Sequence, residues 1–368
     1  MSKVIHNILN INNFSKILLL WNDTQNKRKM PWKGENDPYR IWISEIILQQ
    51  TRVEQGLDYY NRFIKKYPTI KDLALANENE VFKLWEGLGY YSRCRNLIAT
   101  AKCIHEDKND IFPNHYEEII KLKGIGPYTA AAIASFAFNA PCAVVDGNVH
   151  RVLSRVFYIT DPIDSSEGKK TFEKLANTLL NIQKPGDHNQ AIMDFGATVC
   201  KPTNPVCDTC IFNKFCKAYL TNNIEKLPVK KKRILKTHRY FNFFILEHRK
   251  KIAIKQRTKN DIWRHLFEFP MIETSRKYSS QEITDTLVQN DWIPRNIRLQ
   301  KIEKEFNQIL THQTIHAVFF KAIVPLQSNA SNDYIWITRK DLKTFAFPKI
   351  INSFLQEYIN PISTKSPL

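Results

Sequence analysis

Glu45 stands in the run DPYRIWISEIILQQT, a carboxyl among apolar neighbours. On a helical wheel its neighbours at three and four positions include Ile41, Trp42 and Leu48, and no lysine or arginine occupies those positions. A helical glutamate is ordinarily solvated. One in apolar surroundings keeps its proton toward neutrality and can donate it as a general acid. A second carboxylate, Asp146, lies in Val144-Val145-Asp146-Gly147-Asn148-Val149, where an apolar segment runs into a helix. It is either a plain helix N-cap or a rigidly held charge aimed at developing positive charge. One acid to give a proton and one carboxylate to steady a sugar cation is the logic of glycosidic cleavage. That Glu45 and Asp146 face each other is an inference from this logic.

Cys200, Cys207, Cys210 and Cys216 follow with six, two and five residues between them. Buried thiols, two disulfides and a zinc site are all open to such a set, but zinc sites usually bring two close pairs. The uneven spacing suits one irregular loop wrapped round a [4Fe–4S] cluster. The other cysteines, Cys94, Cys103 and Cys142, show no pairing logic, so reduced thiols in a cytosol are expected.

Leu122-Lys-Gly124-Ile-Gly126-Pro-Tyr128-Thr129 lies between two helical stretches. It is an interhelical turn, or a hairpin whose two glycines present backbone N–H groups and a helix N-terminus to a phosphate. Gln49 falls on the side of Glu45, and Gln50 and Thr51 end that helix with polar groups suited to base edges. Tyr90, within Gly87-Leu-Gly-Tyr-Tyr91, is an aromatic on a glycine-flanked turn, either a core tyrosine or a wedge between bases.

These groups need a frame. Of the 368 residues 43% are hydrophobic and 24% charged, an ordinary globular balance, and the length favours two domains. Lys and Arg total 54 against 36 acids, a net charge of +18 that points toward a polyanion. Neither a signal peptide nor a membrane span is expected: the most apolar stretch, 129–145, is interrupted by Ser135, Asn139 and Pro141. Apolar spacing of three and four predicts helices from about 12 to 220, one starting at Asp37-Pro38 and others over 54–66, 78–86, 92–106, 115–122, 128–138, 148–158, 166–181 and 187–199. A basic linker follows at 222–239, with KKKR at 230–233. Beyond it RYFNFFILEH, KKIAIKQR and IHAVFFKAIV read as strands, and 279–289 and 339–358 as helices, an α+β domain over 240–368.

MPWKGENDPYRIWISEIILQQTRV, LWEGLGYYSRCRNL, LKGIGPYTAAAIASFAF, AVVDGNVHRVLSR, the cysteine segment and WRHLFEFP together resemble adenine DNA glycosylases of the MutY type, in the helix–hairpin–helix superfamily that includes endonuclease III. The resemblance implies a mostly α region over 1–221, built as a six-helix barrel with a helical iron–sulfur domain whose cluster loop is 200–216. It implies a Nudix-like α+β lesion-recognition domain after the linker. It also implies removal of adenine mispaired with 8-oxoguanine or guanine in double-stranded DNA, by a cytoplasmic, nucleoid-associated enzyme expected to be a monomer. In that scheme Glu45 protonates adenine N7 and Asp146 stabilises the sugar C1′, with Tyr128 and Asn148 supporting them. Arg28, Met30, Trp32 and Asp194 surround the extruded adenine. Gln49, Gln50, Thr51, Leu88, Tyr90, Leu122, Gly124, Gly126 and Thr129 are placed at the DNA. The oxidised guanine falls to Thr51, Leu88 and the loop Leu310-Thr311-His312. The four cysteines hold one [4Fe–4S] cluster.

Two departures matter. Glycosylase/lyases present a lysine where this chain has Tyr128, so base removal without efficient strand nicking is expected. The C-terminal part lacks the Nudix magnesium motif, so no pyrophosphatase activity is expected, and Leu310 stands where the family's recognition loop has phenylalanine. The rival readings are an endonuclease III-like glycosylase/lyase and a non-catalytic iron–sulfur DNA-binding protein. The second would need neither Glu45 nor Asp146.

Overall fold

The helix that carries Glu45 begins where its sequence asks: the Asp37 carboxylate accepts the Tyr39 N–H at 2.9 Å and Pro38 opens the first turn. In this computed structural model the chain divides into two units, Met1–Leu75 with Asn96–Arg233, and Ala76–Arg95 with Ile234–Leu368. The structure describes residues 2–30, 32–231, 236–289, 299–302, 304–324 and 334–359, with only the backbone of 2–12 and 359; Lys232 and Arg233 of the basic patch lie outside them.

The helices in chain order are α1 (Ser2–Thr24), α2 (Pro38–Leu48), α3 (Val53–Lys66), α4 (Ile70–Ala74), α5 (Glu78–Trp85), α6 (Tyr91–Lys108), α7 (Tyr116–Ile119), α8 (Pro127–Phe138), α9 (Gly147–Phe157), α10 (Ser166–Leu179), α11 (Pro185–Thr198) and α12 (Lys217–Leu220). Most expected helices are present within two or three residues. The one expected over 115–122 shrinks to α7, because the chain must leave the helix to enter the hairpin at Gly124. The short α4, closed by a Thr69–Asp72 capping box, had no expectation. Among the described residues no helix is long and apolar enough to cross a membrane.

The core of the first unit is aromatic. Phe14 of α1 stacks on Phe212 at 4.7 Å, and Trp21 meets Phe195 of α11 edge-on at 5.1 Å. Each such ring withdrawn from water is worth about 2–3 kcal/mol. On α8 the buried run Ala130-Ala-Ala-Ile-Ala134 offers little bulk, so α2 packs closely against it and Glu45 reaches the start of α8.

The second unit is a mixed sheet. Strands β1 (Thr237–His248) and β7 (Gln313–Ile323) pair in parallel from Thr237↔Gln313 to Glu247↔Ile323. Around them lie β2 (Lys251–Gln256), β3 (Phe267–Glu268), β4 (Met271–Thr274), β5 (Gln300–Lys301), β6 (Phe306–Ile309) and β8 (Ile335–Thr338), all antiparallel to their neighbours. Alternation sorts the side chains: Phe244 and Phe320 pack with Ile283 and Leu287 of α13 (Ser280–Gln289). On the other face Phe319 stacks on Phe354 of α14 (Lys349–Phe354) at 4.0 Å. The helix expected over 339–358 is thus broken, since Pro348 forces Phe347 away from helical backbone and α14 begins only after it.

Residues 76–95, first-half residues by sequence order, pack with this second unit. Phe82 of α5 stacks on His265 at 5.7 Å, Lys83 donates to the Phe345 carbonyl at 2.9 Å, and Glu86 accepts the Phe347 N–H at 2.8 Å.

Candidate active site

Glu45 is 7% exposed, and its Oε2 accepts the Tyr128 hydroxyl at 2.6 Å. Burial pushes its pKa up to about 7; the Tyr128 hydrogen bond pulls downward and the charge of Asp146 adds to the rise. The acid is therefore substantially protonated at neutral pH and can give its proton to a base within reach. The two carboxyls that the sequence offered separately lie within electrostatic range of each other and of Tyr128.

Asp146 is the helix N-cap that its sequence position allowed. As N-cap of α9 its Oδ1 accepts the Val149 N–H at 2.7 Å, and Oδ2 accepts the Asn148 amide at 2.7 Å. Burial raises its pKa, while these hydrogen bonds oppose the rise. Arg151 donates to Asn148 Oδ1 at 2.8 Å, to the Gly196 carbonyl at 2.7 Å and to the Cys200 carbonyl at 2.7 Å. Gly196 has to lack a side chain, because a Cβ there would lie 2.7 Å from the Asn148 Cβ.

Glu45 lines a cleft of about 430 Å³ with Trp32, Lys33, Ser44 and Gln190. Behind it Asp194, 0% exposed, accepts from Arg28 at 2.9 Å, Lys33 at 3.1 Å, Asn26 at 2.8 Å and Gln190 at 2.9 Å. Its oxygens are fully engaged, so Asp194 orients two cations and two amides and is not among the residues that line the cleft. Lys33 and Gln190 were not singled out from sequence. The charge of the first and the helical spacing of the second from Asp194 are the signals that were available. Trp32 is buried edge-on to Tyr60, and Met30 is half-buried.

The hairpin forms as expected. Gly124 takes φ +80°, and a Cβ there would lie 2.5 Å from the Asn96 Cβ. Gly126, exposed, caps α8 without any side-chain hydrogen bond, at a helix start of the kind that can receive an anion. Two of the side chains expected at DNA are placed otherwise. Leu122 is buried, and Thr129, 1% exposed, accepts the Gln49 amide at 3.2 Å. Their side chains hold the hairpin and α2 together. Gln50 is exposed at φ +58° and Thr51 is half-buried.

In the second unit Leu88 is buried, against the expectation that it touches a base. Tyr90, in contrast, is 43% exposed, and its hydroxyl lies 3.0 Å from Thr311 Oγ1. With Leu310, Thr311 and His312 it lines a cavity of about 630 Å³.

No cysteine is paired with another. Cys200, Cys207, Cys210 and Cys216 line one small cavity with Val156, Phe195, Val199 and Phe212. Among the described residues no three His, Cys, Asp or Glu side chains converge on a point fit for a single ion. Four thiols round one apolar space are a soft donor set that fits a thiolate-bound metal or iron–sulfur group. The Phe212 N–H points at Cys210 Sγ at 3.4 Å, and the Arg155 guanidinium lies 3.5 Å from Cys200 Sγ while donating to the Lys201 and Pro202 carbonyls.

A family model described as HhH-GPD superfamily base excision DNA repair protein matches residues 43–178, the stretch that holds Glu45, the glycine hairpin and Asp146. A NUDIX domain model matches 242–357. The adenine DNA glycosylase of Buchnera aphidicola subsp. Baizongia pistaciae is 35% identical over 352 residues, covering 93% of this chain and 95% of its own length. That of Rattus norvegicus is 43% identical over 222 residues, covering 58% of this chain and 43% of its own. The chain belongs to the adenine DNA glycosylase family. Among solved structures, a thermostable thymine-DNA glycosylase matches at TM-score 0.54 and 30% identity over 58% of this chain and 99% of its own. A trapped endonuclease III–DNA covalent intermediate matches in fold at TM-score 0.50 and 21% identity, over 58% of this chain and 98% of its own.

Proposed function

We propose that this enzyme excises adenine opposite 8-oxoguanine or guanine in duplex DNA by acid-assisted hydrolysis, leaving an abasic site in an unbroken strand. The observation that carries the reading is Glu45, buried, hydrogen-bonded to Tyr128 and protonated near neutrality. Adenine cannot be reached inside the duplex, and a mispaired base is cheaper to extrude. Once the base is in the cleft, Glu45 gives its proton to N7 and makes adenine a neutral leaving group. The C1′–N9 bond breaks, and Asp146 steadies the cationic sugar until water adds at C1′ and gives its spare proton back to the Glu45 carboxylate. Arg28, Lys33 and Gln190, oriented by Asp194, surround the base, with Trp32 beside it. The helix start at Gly126 takes a backbone phosphate.

Tyr128 supports the absence of lyase chemistry. Its phenol is held well above its ordinary pKa by burial and the adjoining carboxyls, and it supplies no amine for a Schiff base. The test is product analysis on duplexes with adenine opposite 8-oxoguanine or guanine. Free adenine and an intact alkali-labile strand are expected; rapid nicking without heat or alkali would reject the monofunctional reading.

Recognition of the oxidised guanine rests on Thr311 beside Tyr90. Thr311→Ala is expected to lower the preference for 8-oxoguanine over guanine by about three- to tenfold, the worth of one lost hydrogen bond. A preference unchanged in competition between the two duplexes would remove Thr311 from the reader.

Cys200, Cys207, Cys210 and Cys216 are proposed to hold one [4Fe–4S] cluster, whose chemistry when bound is to tie the irregular 200–216 loop into a rigid surface. Purified protein is expected to be brown with about four irons per chain, and Cys207→Ser to lose most of that iron. Stoichiometric zinc in place of iron would overturn the assignment.

A further inference from the structure

The turn that presents Tyr90 is held in an unfavourable shape. Gly87 and Gly89 take φ +89° and +78°, and Tyr90 itself takes φ +48°, a region that non-glycine residues avoid. Something must keep the ring where it is. The hydroxyl has Thr311 at 3.0 Å. The ring face has Arg93, whose guanidinium carbon lies 5.2 Å from the Tyr90 centroid and 5.5 Å from that of Trp85. The Arg93 backbone N–H donates to the Tyr90 carbonyl at 2.8 Å, and Trp85 donates its indole N–H to the Gly89 carbonyl at 3.1 Å.

Arg93 is only 8% exposed, and burial lowers its pKa to about 10, so the cation persists at neutral pH. A charge withdrawn from water needs a compensating environment. Two electron-rich ring faces supply part of it, and a desolvated cation–π contact is stronger than an exposed one. The flat guanidinium can lie against both rings at once, which a compact ammonium cannot.

We propose that Arg93 is a positioning residue that fixes Tyr90 from behind, so that the tyrosine is ready to enter the base stack beside the oxidised guanine and the enzyme's lesion preference depends on the guanidinium. This rests on the reading of Tyr90 as a wedge at the lesion. Arg93 touches neither the adenine nor the sugar; it acts through the tyrosine ring.

The experiment measures duplex affinity, and separately the rate of adenine release from saturated enzyme, on adenine opposite 8-oxoguanine and opposite guanine. Arg93→Met is expected to lower the affinity preference for the 8-oxoguanine duplex by about tenfold, the size of a lost desolvated cation–π contact. The pH profile of release should keep its wild-type shape, because Glu45 is untouched. Arg93→Lys keeps the buried charge and should recover only part of the preference, and thermal melts of both variants separate this effect from a general loss of fold. Tyr90→Leu alone should also lose preference, and Arg93→Met added to it should change nothing more. If Arg93→Lys has the full wild-type preference, or if the losses of Arg93→Met and Tyr90→Leu multiply as independent effects, the positioning role is overturned. If Tyr90→Leu keeps the full preference, the wedge reading itself falls and this inference with it.

Discussion

Glu45→Gln lowers single-turnover adenine release by about 10²–10⁴-fold, the ordinary range for losing a general acid. The amide keeps the volume of the side chain and can still accept the Tyr128 hydroxyl, so duplex binding stays near wild type. Wild-type release falls as pH rises through about 7, the pH at which the buried acid gives up its proton. The variant lacks that alkaline limb. Release at the wild-type rate, or with the same limb, would take Glu45 out of the chemistry. Stability depends on the same proton. The folded protein holds this proton to about 7, whereas an unfolded carboxyl, with its ordinary value of 4.5, loses it much earlier. The raised pKa therefore contributes stability that is fully present below that ordinary value and is lost as pH rises to about 7. At pH 8 the wild type carries a buried charge worth about 3 kcal/mol against folding. Glu45→Gln should melt higher than wild type at pH 8, with the advantage fading at pH 5.

Asp146→Asn is the second large loss, about 10³-fold in release, because the charge that steadies the sugar cation disappears while the shape remains. Asparagine is itself a good N-cap, so α9 keeps its start and the melting temperature should stay near wild type. On the acid side wild-type release falls as Asp146, whose pKa burial raises, takes up a proton, and the variant lacks this acid limb. Combined with Glu45→Gln the losses should fall short of multiplying, since the two groups act on one bond. A fully multiplicative double variant would mean that they serve separate steps.

How much of this could be read from the residues depended on distance along the chain. The Asp37-Pro38 start, the apolar setting of Glu45 and the turn at Gly124 are local, and propensity and sterics act locally. Asp146 was legible only as a choice between cap and charge, and of the two the structure shows the cap. Of the four donors to Asp194, Gln190 sits one helical turn away, but Asn26, Arg28 and Lys33 lie 161–168 residues away and nothing in spacing announces them. The burial of Thr129 was hidden because a polar residue beside a turn looks available until the opposing helix is present to cover it. The parallel pairing of β1 with β7 was likewise hidden, since both strands read alike whichever neighbour they take.

The packing of α5 against strands and turns that lie far downstream sets an order of events during synthesis. A ribosome that has released the helical half has also released Phe82 and Lys83, yet His265 and Phe345 do not exist until the tail emerges. The segment bearing the tyrosine wedge must wait, half-built, for partners still to be translated. A nascent chain cut short after the linker would therefore own its acid and its aspartate but not a settled place for Tyr90.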